Sequence, residues 1–189
     1  MAEYQRKIAE FILDCEARRD SKGRLAVYPL PRGDGGGTFE VAGINDRYDH
    51  DEAFQLRDLI EAGSYDEAEQ FALDYYLRNT DQVAGWTIVP AIEAFLRDSA
   101  FNRGVRGCAK IMQRALDLKV VDGAIGPITR AQASRAEVDP AAYLKKLRQA
   151  REDYELAIAP PVGARAKFCK GLVNRWNKAL AFSQSLLPA

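Results

Sequence analysis

The chain has 189 residues, enough for one sizeable domain or two small ones with a real core. Its hydrophobic and charged fractions, 47% and 29%, are those of an ordinary globular protein, and no apolar run approaches the ~20 residues that span a bilayer, which argues against membrane insertion. The net charge is zero but unevenly spread: residues 34–81 carry 13 acidic and 3 basic side chains, residues 82–189 carry 17 basic and 9 acidic.

The N-terminus, Met1-Ala-Glu-Tyr-Gln-Arg-Lys-Ile-Ala-Glu10, mixes both charge signs without an apolar signal core, so a cytoplasmic location until release is expected. Ile8, Phe11, Ile12 and Cys15 repeat at helical spacing and predict an amphipathic helix over 4–17. From Ser21 to Asn45 the pattern breaks. Pro29, Pro31 and Gly33-Asp-Gly-Gly-Gly37 lie between two short alternating segments, Leu25–Tyr28 and Thr38–Ala42, which predict a loop or small β-hairpin.

Helices then resume. Asp49-x-x-Glu52 and Ser64-x-x-Glu67 have the form of capping boxes, and Pro90 suits the first turn of a helix reaching Asn102. Further helices are expected at about 104–118, 126–136, 140–158 and 163–184, punctuated by Asp122-Gly, Asp139-Pro and Pro160-Pro161-Val-Gly163. The fold class is therefore mainly α, with a small β-hairpin or irregular lobe near the N-terminus. The best candidate boundary lies near Gly85–Pro90, giving portions 1–88 and 89–189 that can equally form one continuous body.

Three cysteines, Cys15, Cys108 and Cys169, are widely spaced and odd in number, which suits neither a disulfide framework nor a zinc site; they read as small buried thiols. The single histidine, His50, leaves little room for a His-based triad or metal cluster, and no metal or cofactor is implied. The basic second half can attract an anionic polymer, a nucleic acid or an acidic wall, or be a solvated helix face.

Chemistry concentrates around Glu16. A carboxylate at the C-terminal end of a helix faces the negative end of the macrodipole, and burial would add a desolvation penalty; both favour the protonated form. Beside a groove, such an acid can protonate a leaving oxygen, the task of a glycosidase general acid. The excursion offers partner carboxylates in Asp20, Asp34 and Glu40, and Gly35-Gly36-Gly37 allows close backbone approach to a ligand or forms a flexible hairpin tip. No Gly-Lys-Ser/Thr follows that run, so it is not a phosphate loop.

Glu16, the turn Asp34-Gly35-Gly36-Gly37-Thr38 and Gly43-Ile44 together resemble glycoside hydrolase family 108. The second half resembles it further in Asp98, Asn102, Gly104, Gln113, Asp122-Gly123, Gly126-Pro127 and Thr129, then Arg151, Tyr154, Phe168-Cys-Lys-Gly171 and Asn174-Arg175. The resemblance implies a lysozyme-like muramidase in the first portion and a predicted peptidoglycan-binding region in the second.

On that footing Glu16 is expected to be the general acid, with Asp34 or Glu40 as second carboxylate. Thr38 would position a water or the sugar, or make only a local hydrogen bond. Gly36, Gly37 and Tyr28, with Asn102 and Gln113, are expected to bind substrate. The partner would be bacterial peptidoglycan, reached through a holin or export channel, with no nucleic acid involved. The chain departs from the family where Glu-Gly-Gly-Tyr is replaced by Glu16-Ala17-Arg18-Arg19. That change supports the alternative of a non-catalytic wall-binding or phage structural protein that keeps the fold.

Overall fold

The computed structural model describes residues 2–31, 36–158 and 166–188. The chain divides into two compact units, residues 9–78 and residues 2–8 with 79–189.

The helix α1, Glu3–Glu16, belongs to the first unit from Ala9 on, where it buries Ala9, Ile12 and Leu13, one stripe at helical spacing. The chain then turns about Asp20. Its carboxylate accepts from the Arg24 guanidinium at 2.7 and 2.9 Å and from the Lys22 and Arg24 amides. That Arg24 guanidinium, with the amides, depresses the Asp20 pKa to about 2.

Three short antiparallel strands follow, β1 (Tyr28–Pro29), β2 (Phe39–Val41) and β3 (Ile44–Asn45), in the order β1-β2-β3. Tyr28 lies opposite Glu40, and Glu40 opposite Asn45. Phe39, Val41 and Ile44 are buried, so alternation places Tyr28, Glu40 and Asn45 on the other face of the sheet. Helices α2 (His50–Glu61) and α3 (Tyr65–Asn79) close this unit, burying Ala53, Leu56, Ala68, Ala72, Tyr75 and Tyr76.

The second unit is helical. A 3₁₀ turn, Asp81–Trp86, leads into α4 (Pro90–Ala115), followed by α5 (Pro127–Ala136), α6 (Pro140–Ile158) and α7 (Ala166–Ser185). Every residue from Ala91 to Ala100 is buried, which makes α4 the axis against which α6 and α7 pack. Four of those residues are polar, and each has a partner. Arg97 donates to Glu93 at 2.7 Å and to Thr80 at 2.9 Å, and Ser99 donates to the Phe95 carbonyl. Asp98 accepts from Arg151 of α6 at 2.6 Å and from Arg175 of α7 at 2.7 Å. Burial alone would raise the Asp98 pKa, but the two guanidiniums outweigh it and hold the carboxyl below the usual range.

The helices expected from the sequence are present, with three informative differences. The expected break at 103 is a kink within α4, at Gly104, whose φ of +67° and ψ of 163° leave the helical region. Asp49 starts α2 without making a side-chain cap, because its carboxylate accepts a hydrogen bond from the Tyr75 hydroxyl. The hairpin has a third strand, Ile44–Asn45, too short to show a period of its own. Cys108 is fully buried and burial pushes its thiol up to about 12; Cys15 and Cys169 are half-buried. The Pro160–Gly163 punctuation lies outside the described residues.

Asp98→Ala would leave Arg151, whose side chain is 1% exposed, with an uncompensated buried charge. A loss of about 3–5 kcal/mol is expected on denaturant unfolding. Because the folded-state pKa is depressed, the wild-type contribution is present above the unfolded value of about 3.9 and is lost as pH falls through the folded one. An acid-unfolding curve for Asp98→Asn should therefore be flatter below about pH 4 than that of the wild type.

Candidate functional site

The hairpin of the first unit carries most of the expected site. Its β2–β3 turn consists of two residues, Ala42 and Gly43, both at positive φ (52° and 74°), the geometry that matches the twist of paired strands. A non-glycine residue at positive φ is uncommon, and here the Tyr76 hydroxyl holds the Ala42 carbonyl at 2.7 Å. Glu16 lies directly over this turn: a Cβ built on Gly43 would meet its Oε2 at 3.0 Å and its Cβ and Cδ at 3.2 Å. The end of α1 thus delivers a half-buried carboxylate onto bare backbone at the hairpin tip.

The open face of the sheet carries a second group. Arg18, two residues past Glu16, stacks its guanidinium over the Tyr28 ring at 3.8 Å and approaches Glu40 with Nε at 3.9 Å from Oε1. Glu40 is half-buried, opposite Tyr28 on one side and Asn45 on the other. Arg19 is directed elsewhere and pairs with Glu69. The arrangement brings one carboxylate from a helix end and one from a strand into the same small unit, with an aromatic ring and a cation beside the second. Two carboxylates are what an acid-assisted cleavage of a glycosidic bond uses.

Thr38 is engaged locally. Its hydroxyl donates to Asp46 Oδ2 at 2.6 Å while its amide donates to Oδ1 at 2.8 Å. The Phe39 amide donates to the same Oδ1 at 3.3 Å. The Thr38 hydroxyl, helped by these amides and opposed by partial burial, lowers the Asp46 pKa. Gly37, at φ +107°, is required by this clasp, since a Cβ there would fall 2.1 Å from Asp46 Oδ1 and 2.7 Å from Asn45 Oδ1. Gly36 precedes it, half-buried. Asp34 lies outside the described residues.

Asn102 and Gln113 belong to the second unit. Asn102 donates through Nδ2 to the Asp98 carbonyl at 3.0 Å, just before the Gly104 kink. Gln113 is buried and fixes the loop after α4. Its Nε2 donates to Asp122 Oδ1 at 2.7 Å and to the Ala124 carbonyl at 3.0 Å, and its Oε1 accepts from the Gly123 amide at 2.8 Å. That hydrogen bond from Gln113 is the main reason the Asp122 pKa is lowered.

In the first unit Phe39, Tyr75 and Tyr76 are core, while Tyr48 is exposed and Tyr28 half-buried. His50 is exposed and stacks on Phe54 at 4.4 Å. Among the described residues no group of three or more His, Cys, Asp or Glu could hold a metal ion, and no helix is long and apolar enough to cross a membrane.

Sequence reasoning missed Asp46, which organises the turn before β2, and Arg18, which joins Tyr28 to Glu40. Arg18 was visible as a departure beside Glu16; its stacking on Tyr28 depends on a tertiary approach that no local pattern encodes. Asp46 gave no signal beyond the Asn-Asp pair at a strand end.

Residues 108–177, from the second half of α4 into α7, match the family described as a predicted peptidoglycan domain. No curated protein matches the chain. Among solved structures, that of Brucella abortus SagA is similar with a TM-score of 0.63 at 20% identity, over 95% of this chain and 93% of that one. At that identity the likeness carries the fold, which is mainly α and lysozyme-like with a small three-stranded sheet. The family match associates the chain with peptidoglycan.

Gly43→Ala should cost about 1–2 kcal/mol for the left-handed backbone alone. The added methyl should also push the Glu16 carboxylate off the turn. Thermal unfolding would register the first effect, and a shift of the Glu16 carboxyl carbon resonance, with little change elsewhere in α1, the second.

Proposed function

We propose that this chain is a peptidoglycan hydrolase, an endo-acting N-acetylmuramidase that cleaves the β-1,4 bond between N-acetylmuramic acid and N-acetylglucosamine. One observation carries the proposal: the helix-end carboxylate of Glu16 lies on the bare Gly43 turn of a hairpin whose open face presents Tyr28 and Glu40. The peptidoglycan match over residues 108–177 supplies the substrate class.

In this reading Glu16 protonates the glycosidic oxygen as the bond to the anomeric carbon breaks. Positive charge then develops on the ring, and a hairpin carboxylate, Glu40 or Asp34, stabilises it or activates the attacking water. A separation from Glu16 of about 5–5.5 Å would favour retention and about 6.5–9.5 Å inversion. Arg18 supplies the counter-charge beside Glu40 and fixes the Tyr28 ring, the surface on which a sugar would rest. Such an enzyme fits a phage or prophage endolysin that a holin or export channel delivers to the wall. No metal or cofactor enters the scheme.

The second reading, a wall-binding or phage structural protein without catalysis, is favoured by one feature, the altered stretch Ala17-Arg18-Arg19 after Glu16. The two readings separate on one experiment. Wild-type protein should release reducing ends from purified peptidoglycan, and Glu16→Gln should lower the rate about 10²–10⁴-fold while sedimenting with the wall as before. Release by neither protein, with both bound to the wall, would leave the binding module.

A carboxylate scan assigns the second group. If Glu40 is the partner, Glu40→Gln should reduce kcat comparably and Asp34→Asn only slightly; the opposite pattern would give the role to Asp34.

A further inference from the structure

Within the matched segment, between the end of α4, the loop after it and the start of α5, lies an open cavity of about 620 Å³. Its walls are aliphatic, formed by Leu116, Leu118, Val120, Ala124, Pro127 and Ile128. Two of these, Val120 and Ile128, are 66% and 74% exposed, apolar surface that the fold does not use.

Three charged side chains line the cavity, Asp117, Lys119 and Asp122, and both carboxylates are already engaged. Asp117 is ion-paired with Lys146 at 2.9 Å. Asp122 accepts from the Gln113 amide group and from the Ala124 amide. Lys119 has no ion-pair partner among the described residues. The first turn of α5, at Gly126, carries no side-chain cap, so its positive dipole end adds to Lys119. No aromatic ring lines the cavity, so it lacks the flat surface on which sugar rings stack. Aliphatic walls beside a lysine instead suit short methyl-bearing side chains and a carboxylate.

We infer that this cavity binds the stem peptide of peptidoglycan, with the peptide's methyl groups against Leu116, Val120 and Ile128 and a carboxylate toward Lys119. The inference rests on the peptidoglycan association of the chain and is independent of the chemistry at Glu16. It makes the second unit a reader of the peptide part of the polymer, while the hairpin acts on the glycan part.

The test is titration of the isotope-labelled full chain with a synthetic stem pentapeptide ending in D-alanyl-D-alanine, beside chitotetraose as a peptide-free glycan. The pentapeptide should shift backbone resonances of residues 116–130. The double variant Lys119→Glu, Ile128→Glu should weaken its binding at least tenfold with an unchanged Tm, both side chains being exposed. Equal binding by the double variant, or shifts of these residues by chitotetraose alone, would overturn the inference. Glu16→Gln should bind the peptide as tightly as wild type. A wild type that binds the peptide here yet releases no reducing sugar would sink the muramidase reading and keep this one; an active wild type that ignores the peptide would do the reverse.

Discussion

Asp98 has no access to water, and its charge is tolerable only because α6 and α7 each bring it a guanidinium. Neither Arg151 nor Arg175 is near it in sequence, so the contact forms only when α4, α6 and α7 take one rotation and one height. A hydrophobic seam alone would allow these helices to slide by a residue or rotate by some degrees. The two charge-assisted hydrogen bonds do not, since any shift would strand a buried ion. The rest of α4 depends on that setting. Asn102 caps the Asp98 carbonyl, Gly104 bends the axis, and Gln113 then reaches the loop at Asp122–Ala124 that walls the cavity before α5.

The first unit is organised differently, around backbone. Its sheet has only seven strand residues, too few to be stable by their ladder alone. Tight contacts supply the rest: Tyr76 on the Ala42 carbonyl, Asp46 on the Thr38 and Phe39 amides, Glu16 against Gly43. The same contacts place functional groups. The hairpin is narrow at Gly43 because Glu16 must fit there, and Asp46 pins the segment that carries β2 and therefore Glu40. Stability and presentation of the carboxylates are one set of interactions.

Two kinds of argument support the peptidoglycan connection, and they fall on different parts of the chain. The family match covers residues 108–177, in the second unit. The proposed catalysis falls instead on the first unit, on Glu16 and Glu40. A polymer of sugars cross-linked by peptides offers chemistry for both proposals, the glycosidic bond for the carboxylates of the first unit and the peptide for the aliphatic cavity beside Lys119.

The order and type of the helices were legible in the sequence because apolar residues at 3.6-residue spacing, with Pro90, Pro127 and Pro140 at helix starts, are local signals. The antiparallel strands on either side of the glycine-rich stretch were legible for the same reason: turn-formers between two short alternating segments declare themselves within a few residues. The capping box at Asp49 misled, since a carboxylate can serve an amide nearby or a hydroxyl far along the chain, and Tyr75 is the far partner. Gln113 was singled out by resemblance, but only the folded chain shows that its amide group is consumed by the 122–124 loop. The pairing of Arg18 with Tyr28 and Glu40, the clasp of Asp46, and the choice of Arg151 and Arg175 for Asp98 all join residues well apart in the chain, from 7 positions at Phe39–Asp46 to 77 at Asp98–Arg175. Local spacing determined the elements; which charges meet was decided by packing, because a buried ion accepts only the partners that the assembled helices and strands bring within hydrogen-bond reach.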